Sequence, residues 1–138
     1  EILVTRAPVV MADEISTGLD SATTLDICNA LRHNARVLKH TVVVSLLQPT
    51  PETFNAFDEL LVMAAGGVAY LGPVDEVLPY FEGLGFVCPK DKDTAEFLQE
   101  VTLPKGMRKY RSGGGDGDGD YPTTTLQALV GWDGVMRW

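Results

Sequence analysis

Residues 9–14 read Val9-Val10-Met11-Ala12-Asp13-Glu14, with four apolar side chains directly before two adjacent carboxylates. A short, continuous apolar run is typical of a parallel strand whose two faces are both covered. Because α/β sheets bind ligands just beyond the carboxyl ends of their strands, we expect Asp13 and Glu14 to lie at a ligand site. Magnesium bound to phosphates takes one or two protein carboxylates, so the pair predicts that Asp13 holds the ion while Glu14 orients an attacking water. A solvated strand end is the plainer interpretation of the same residues.

The pattern that follows predicts an α/β fold with parallel core strands flanked by helices. A helix is expected over residues 21–38, with Asp20 or Ser21 as its N-cap and an apolar stripe along one face. A second buried strand is expected over residues 42–46. Together with residues 9–12 these segments form a strand, a helix and a strand, as in the parallel sheets of α/β proteins.

Further along, the pattern changes to a small antiparallel strand pair. Strands are expected over residues 60–63 and 68–71, joined at Gly66-Gly67. After Gly72-Pro73 a helix is expected to reach Leu84, kinked or split at Pro79, which lacks the amide donor that a helix needs.

One more helix is predicted near the end of this region. Asp93 and Glu96 have the spacing of a capping box, in which each side chain bonds to the backbone amide of the other residue. The helix that they begin carries Phe97, Leu98 and Val101.

Composition narrows the class of protein. The 138 residues favour one domain, and the net charge of −8 argues against binding to nucleic acid, which needs clustered Lys and Arg. Cys28 and Cys88 lack the spacing of a metal site, so we expect free thiols in a reducing compartment. The apolar stretches over residues 41–47 and 60–65 are far shorter than the ~18 residues that a bilayer requires, so this segment is not expected to insert into a membrane.

A longer match stands around the two carboxylates. Residues 13–24, Asp13-Glu14-Ile15-Ser16-Thr17-Gly18-Leu19-Asp20-Ser21-Ala22-Thr23-Thr24, closely resemble the Walker B and D-loop block of ABC-transporter ATPase domains. The form is that of the G subfamily and its pleiotropic-drug-resistance members. The resemblance continues, in order and spacing, through residues 41–49, 57–63, 72–73, 80–81, 85–89 and 95–102. It covers residues 1–102 and implies the C-terminal half of the first nucleotide-binding domain of such a transporter, which is a partial P-loop NTPase fold.

The resemblance also implies cofactors and roles. The cofactors are ATP and Mg²⁺, with Asp13 contacting the metal through water and Glu14 acting as the general base. Asp20 would couple two ATPase domains, and Asp20 and Gln48 would belong with Asp13 to the cofactor-binding residues. Leu47 stands where the family usually has a switch histidine, and an apolar side chain can neither donate a hydrogen bond to phosphate nor take up a proton. The first domain of the resembled transporters often lacks this histidine, so the resemblance implies a weakened ATP site.

Two other family motifs do not occur in the sequence. It contains neither G-x-x-x-x-G-K-[ST], whose amides and lysine cradle phosphates, nor the Gly-rich signature. We therefore expect a fragment, or a truncated gene product, of a longer protein that is an ATPase, with the fragment inactive alone. The implied partners are a second ATPase domain and the transmembrane domain of the same transporter. The implied location is the cytoplasmic face of a membrane, with the segment itself soluble.

The end of the chain has a different composition. We divide the chain into an ATPase part over residues 1–107, an acidic Gly-rich linker over 108–122 and an apolar tail over 123–138. Alternating aspartates at 116–120 resemble the opening of a calcium loop. Tyr121 and Gln127 then stand where that loop needs Gly and a bidentate Glu, so a flexible linker is favoured.

Three classes of function follow from these patterns. The leading one is the ATP-binding and ATP-hydrolysing part of a pleiotropic-drug-resistance-like exporter. The second is a non-transporter P-loop ATPase fragment acting on DNA. Such ATPases also place Asp-Glu before a D-loop, but they lack the blocks Leu46-Leu47-Gln48-Pro49 and Phe97-Leu98-Gln99-Glu100-Val101-Thr102. The third is an inactive interaction or calcium-binding module built on the Asp-Gly run, which a calcium titration would detect.

Overall fold

The computed structural model describes residues 7–111, which divide into two compact units between Asp58 and Glu59. The first unit contains β1 (Val9–Ala12), α1 (Ser21–Leu38), β2 (Thr41–Val44) and α2 (Pro51–Phe54). Strands β1 and β2 pair in parallel, with Val9 opposite Thr41 and Ala12 opposite Val44. Parallel neighbours require a crossover, and α1 supplies it. The strand, helix and strand predicted from the sequence are therefore present, with β2 ending two residues earlier than expected.

Helix α1 is fixed at both ends by local chemistry. The Asp20 carboxylate accepts a hydrogen bond of 2.7 Å from the Thr23 amide, which makes Asp20 the N-cap. At the other end Lys39 takes the left-handed conformation, with φ 54°, and closes the helix. The residues that α1 buries are Thr24, Cys28 and Leu31, which share one face at helical spacing. Arg32 and Arg36 both contact the carboxylate of Asp58, at 2.9 and 2.8 Å.

Within the described part of the chain, only one face of the β1–β2 pair is covered by other residues. Val9, Met11 and Val43 are 50%, 78% and 45% exposed and lie on the same side of the two strands. A parallel sheet in an α/β protein normally has both faces covered. The open face is thus unusually apolar for a surface.

The second unit begins with an antiparallel hairpin. Strands β3 (Glu59–Ala64) and β4 (Gly67–Pro73) are joined by Ala65 and Gly66, whose φ angles are 49° and 81°. Positive φ at both central residues matches a type I′ turn, whose twist suits a hairpin. The sequence prediction placed this turn one residue too late, at Gly66-Gly67. Ala65 adopts a left-handed conformation that glycine adopts more readily. Residue propensity alone therefore does not predict a turn at Ala65.

Three short helices follow the hairpin: α3 (Val77–Gly83), α4 (Thr94–Val101) and α5 (Pro104–Tyr110). A 3₁₀ turn over Val74–Glu76 precedes α3. The predicted helix up to Leu84 is therefore split, as the proline indicated. The split lies before Pro79, which falls in the first turn of α3, where its missing amide costs no helical bond.

The predicted capping box at α4 is wrong in its chemistry. Asp93 is the N-cap residue, but its side chain makes no capping hydrogen bond. The Glu96 carboxylate binds the ammonium of Lys92 at 2.7 Å instead. A nearby cation thus competes successfully for the side chain that a capping box needs.

Aromatic rings form the core of the second unit. Phe81 and Phe97 are fully buried, with ring centroids 6.1 Å apart and an edge-to-face geometry. Tyr110 packs on the other side of Phe97, at 5.1 Å. Helix α5 thus continues through Arg108 and Lys109, residues that composition alone places at the start of the linker. Residues 112–122 of that linker, with the alternating aspartates, and the tail over 123–138 lie outside the described residues.

Gly106 allows α4 and α5 to touch through their backbones. A Cβ atom at this position would lie 1.9 Å from the carbonyl oxygen of Glu100, far inside van der Waals contact. We expect Gly106→Ala to lower the free energy of unfolding by about 1–3 kcal/mol, because the two helices would have to separate. Urea unfolding of the chain, followed by circular dichroism, measures this change.

Gly83→Ala is the matched control, since a Cβ there meets nothing within 4 Å. It should leave the midpoint unchanged or raise it slightly through better helix propensity. Equal midpoints for the two variants would contradict the close packing of α4 on α5.

Candidate functional site

Two loops meet where β1 and β2 end. Because the strands are parallel and Ala12 lies opposite Val44, the residues just after them, Asp13 and Ser45, are neighbours. The amide of Ser45 donates to the carbonyl of Ala12 at 3.0 Å, which continues the ladder to the end of the strands. The predicted position of the carboxylates at a strand end therefore agrees with this arrangement.

The Ser45 hydroxyl joins the two predicted site residues. It donates a hydrogen bond to Oδ1 of Asp13 and accepts one of 2.8 Å from the backbone amide of Glu14. A hydroxyl has one donor and two acceptor positions, so both contacts are possible at once. Asp13 and Glu14 are thus connected to the neighbouring strand through one side chain.

Glu14 has a strained backbone. Its φ is 46°, in the left-handed region that only a few per cent of residues other than glycine occupy. Its amide is held by Ser45, and its carbonyl accepts from the Thr17 amide at 3.1 Å. Strain of this kind costs about 1–3 kcal/mol. It occurs at helix ends and hairpin turns, as at Lys39 and Ala65, and it clusters at active sites and ligand clamps.

The loop after β2 contains a second residue of this kind. Gln48 has a φ of 47° although a proline follows it. The preceding residue, Leu47, is 65% exposed, and its amide donates to the Ser16 hydroxyl at 3.4 Å. Ser16 belongs to the loop after β1, so a second serine also links the two loops. The structure therefore brings Leu47 close to the loop that carries Asp13 and Glu14.

Asp20, the remaining predicted site residue, has a structural contact of its own. Hydrogen bonds from the side chain and the backbone of Thr23 hold the pKa of the Asp20 carboxyl below its usual value. The carboxylate therefore stays ionised at the positive end of the α1 dipole. Its contact in this structure is the helix cap.

Ser45 and Ser16 are the site residues that the sequence prediction missed. A usable signal was present for Ser45, the first polar residue after the apolar run at 42–44. If two parallel strands are neighbours, the residues after them share one edge of the sheet. Ser16 had no comparable signal, because its contact depends on the path of a loop.

The carboxylate oxygens at this edge suit a magnesium ion that is bound mainly through phosphate and water. Within residues 7–111 no three side chains of His, Cys, Asp or Glu cluster as a metal cage would need. A phosphate-bound magnesium needs only one or two carboxylates and keeps several waters. Asp13, exposed and with one oxygen engaged by Ser45, fits that requirement.

Comparison with known proteins places the chain in a family. Residues 47–115, half of the chain, match the family model described as ABC-2 type transporter. The chain belongs to this family. The model that matches is that of the ABC-2 membrane domain and not of the nucleotide-binding domain expected from the sequence.

Plant transporters are among the relatives. Pleiotropic drug resistance protein 1 of Nicotiana tabacum is 51% identical over 112 residues, which are 81% of this chain and 8% of the relative. ABC transporter G family member 36 of Oryza sativa subsp. japonica is 51% identical over 110 residues, 80% of this chain and 8% of its own length. ABC transporter G family member 32 of Arabidopsis thaliana is 51% identical over 112 residues, with shares of 81% and 8%. The chain thus spans about 8% of the length of these curated relatives.

Among the described residues, no helix combines the length and the apolar character that a membrane span requires.

The second unit has a charged cluster on α4 and α5. Lys92 contacts Glu96 and Glu100, at 2.7 and 2.9 Å, and Lys109 contacts Glu100 at 3.1 Å. The Tyr110 hydroxyl donates to the same Glu100 carboxylate. The pKa of Glu100 is lowered to about 2, most strongly by the hydrogen bond from Tyr110 and next by those from Lys92 and Lys109. The hydrogen bonds of Lys92 to Glu96 and then to Glu100 raise the pKa of the Lys92 ammonium. Every member of this cluster has a structural partner, so we assign the cluster to the packing of α5.

Glu100 predicts a pH dependence of stability. Its pKa is lower in the folded chain than its ordinary value of 4.5, so its contribution is complete above that pH. The contribution is lost as the pH falls through about 2, because the protonated carboxyl no longer pairs with Lys92 and Lys109. We expect Glu100→Gln to flatten the fall in unfolding midpoint between about pH 5 and 2. Urea titrations across this range measure it.

The control is Glu82→Gln, which removes an exposed carboxylate from the same unit. Its pH profile should follow that of the unchanged chain. Parallel profiles for the Glu100 variant and the unchanged chain would show that Glu100 does not carry the acid sensitivity.

Proposed function

We propose that this chain supplies the C-terminal half of the first nucleotide-binding domain of a pleiotropic-drug-resistance-type exporter. In this proposal the first unit belongs to a P-loop NTPase fold, and ATP and Mg²⁺ bind at the edge where β1 and β2 end. Closure of two such domains on ATP would drive substrate export through the transmembrane domain of the same transporter. The chain by itself would be inactive, since it has no phosphate-cradling loop of its own.

One observation carries this proposal. Two adjacent carboxylates, Asp13 and Glu14, follow a strand of a parallel pair, at the edge where α/β proteins bind ligands. The left-handed conformations of Glu14 and Gln48 flank that edge on its two loops. Positive φ at both loops supports a site at this edge, because Glu14 and Gln48 close neither a helix nor a hairpin, as Lys39 and Ala65 do.

The relatives support the transporter part of the proposal. Their names describe pleiotropic drug resistance and ABC transporter G family proteins. The resemblance of residues 13–24 to Walker B and the D-loop supports the assignment of the segment to the ATPase half. The apolar open face of β1 and β2 also favours this assignment, because such a pair is typical of the interior of a larger parallel sheet.

The two carboxylates would have different tasks. Magnesium, when bound, neutralises charge on the phosphates of ATP. Asp13 would hold the ion through water, with its carboxylate oriented by the Ser45 hydroxyl. Glu14 would orient the attacking water and accept its proton, as a general base does.

Two further residues set the character of the site. Leu47 offers no hydrogen bond to a γ-phosphate and cannot take up a proton, so turnover should be slow. Asp20 caps α1 in this structure and would meet the second ATPase domain through the loop in front of that helix. We therefore assign to this segment an ATP site that binds more readily than it hydrolyses.

A chimera tests the proposal. Its frame is the tobacco relative, with the segment of 112 residues that matches this chain replaced by the corresponding residues of this chain. We expect Glu14→Gln to lower the ATP turnover that arises at this site by about 100-fold or more, within the range measured for general bases. The total turnover of the chimera should then fall by the share that this site contributes. Steady-state phosphate release from purified chimera in detergent or nanodiscs measures it.

Glu52→Gln is the control, since Glu52 is an exposed carboxylate in the first turn of α2 of the same unit. It should turn over ATP like the unchanged chimera. Unchanged turnover with Glu14→Gln would assign hydrolysis to the other composite site and refute the catalytic role of Glu14.

A further inference from the structure

We infer that Ser45 is the positioning residue of the ATP site, fixing the Asp13 carboxylate and the Glu14 backbone in one hydrogen-bonded unit. Because this role rests on the proposed function of Asp13 and Glu14, it deepens that function and adds no second one. Ser45 itself touches neither nucleotide nor water in the proposed reaction. It acts through the two carboxylate residues.

The backbone of Ser45 is fixed by the strand pairing, independently of its side chain. Its amide donates to the Ala12 carbonyl at 3.0 Å, at the last rung between β1 and β2. Ala12 is buried, which fixes the end of β1 from the core side. The Ser45 hydroxyl therefore starts from a fixed point, and this suits a group that must position others.

The side chain then makes two bonds that only a small hydroxyl can combine. Its single proton goes to Oδ1 of Asp13, and its oxygen accepts the Glu14 amide at 2.8 Å. Alanine offers neither contact, whereas threonine keeps the same hydroxyl. With one oxygen of Asp13 occupied by Ser45, the carboxylate is oriented so that its other oxygen is presented to a metal-bound water. Partners of this kind in the outer shell of a metal site orient the ligand.

The bond to Glu14 bears on a strained residue. Glu14 has a φ of 46°, and the Ser45 oxygen receives its amide in that conformation. Without the Ser45 hydroxyl, the Glu14 amide can bond to water equally well when the backbone is relaxed and extended. The left-handed conformation of Glu14 then has no hydrogen bond that favours it. The direction of the Glu14 side chain would change with its backbone. Ser45 therefore controls both the carboxylate that holds the metal-bound water and the general base.

Ser16 makes the reciprocal contact between the same loops. It lies after β1 and accepts the Leu47 amide after β2, at 3.4 Å. That bond is longer than the Ser45 contact and reaches neither carboxylate. We therefore expect Ser16→Ala to have a smaller effect than Ser45→Ala.

The experiment uses the tobacco chimera with Ser45→Ala, Ser45→Thr and Thr41→Ala. Thr41 is exposed on the same strand and lies outside the proposed site, so Thr41→Ala is the control. The first readout is ATP turnover as a function of Mg²⁺ concentration. The second is the affinity for Mn²⁺ at saturating ATP, measured by electron paramagnetic resonance in the Glu14→Gln background, where hydrolysis is not needed. The melting temperature of each variant reports on folding.

We expect Ser45→Ala to lower the turnover and the Mn²⁺ affinity of this site by about 10-fold each, as loss of an outer-shell partner does. Ser45→Thr should restore both to within a few-fold of the unchanged chimera, and Thr41→Ala should change neither. The melting temperatures of the three variants should equal that of the unchanged chimera, since an exposed hydroxyl contributes little to the stability of the fold.

The outcomes separate this inference from the proposed function. If Glu14→Gln abolishes turnover while Ser45→Ala leaves turnover and Mn²⁺ affinity unchanged, Ser45 has no positioning role and the ATP site stands. Equal losses for Ser45→Ala and Ser45→Thr would also overturn the role of the hydroxyl. If Glu14→Gln leaves turnover unchanged and Mn²⁺ does not bind with ATP, the proposed site itself fails, and the role of Ser45 fails with it.

Discussion

The parallel pairing of β1 with β2 is the constraint on which the candidate site depends. With Ala12 opposite Val44, the next residue of each strand must share one edge of the sheet. That edge receives a carboxylate pair from one loop and a hydroxyl from the other. Shifting the register by one residue would turn every side chain of a strand to the opposite face and separate Asp13 from Ser45. The ladder thus determines the chemistry of the edge before any loop contact does.

The loops convert this edge into a rigid arrangement. Ser45 joins Asp13 to Glu14, and a turn from Glu14 to Thr17 leads towards α1. Asp20 then begins the helix as its cap. The same short segment therefore has structural and proposed catalytic tasks, and strain at Glu14 is balanced by bonds on both sides of that residue. Such balance is what keeps an unfavourable backbone conformation in place.

The sequence predicted the elements better than the contacts. Strand β1, helix α1 and the Asp20 cap follow from a short apolar run and from capping chemistry, which are local signals. The position of the hairpin turn did not follow from local signals, because Ala65 adopts a left-handed conformation that glycine adopts more readily. The missing capping box at Asp93 has a similar cause, since Lys92 binds the side chain that the box would use. Contacts between separate segments decide these cases, and no local pattern contains them.

The site shows the same division. The position of Asp13 and Glu14 at a strand end could be predicted from the apolar run before them, whereas the contact with Ser45 required the knowledge that two particular strands are neighbours. The family resemblance supplied roles for Asp20 and Gln48 that the contacts of a single segment do not contain. Those roles depend on a second ATPase domain and on bound nucleotide. They therefore belong to the proposed function.

We propose that the edge formed by β1 and β2 binds Mg²⁺ and ATP. The most direct measurement is a cryo-electron microscopy structure of the Glu14→Gln chimera with Mg²⁺ and ATP. We expect metal density next to the γ-phosphate, joined to the Asp13 carboxylate through water, with Ser45 still bonded to that carboxylate. Nucleotide bound with Asp13 and residue 14 remote from its phosphates would contradict it.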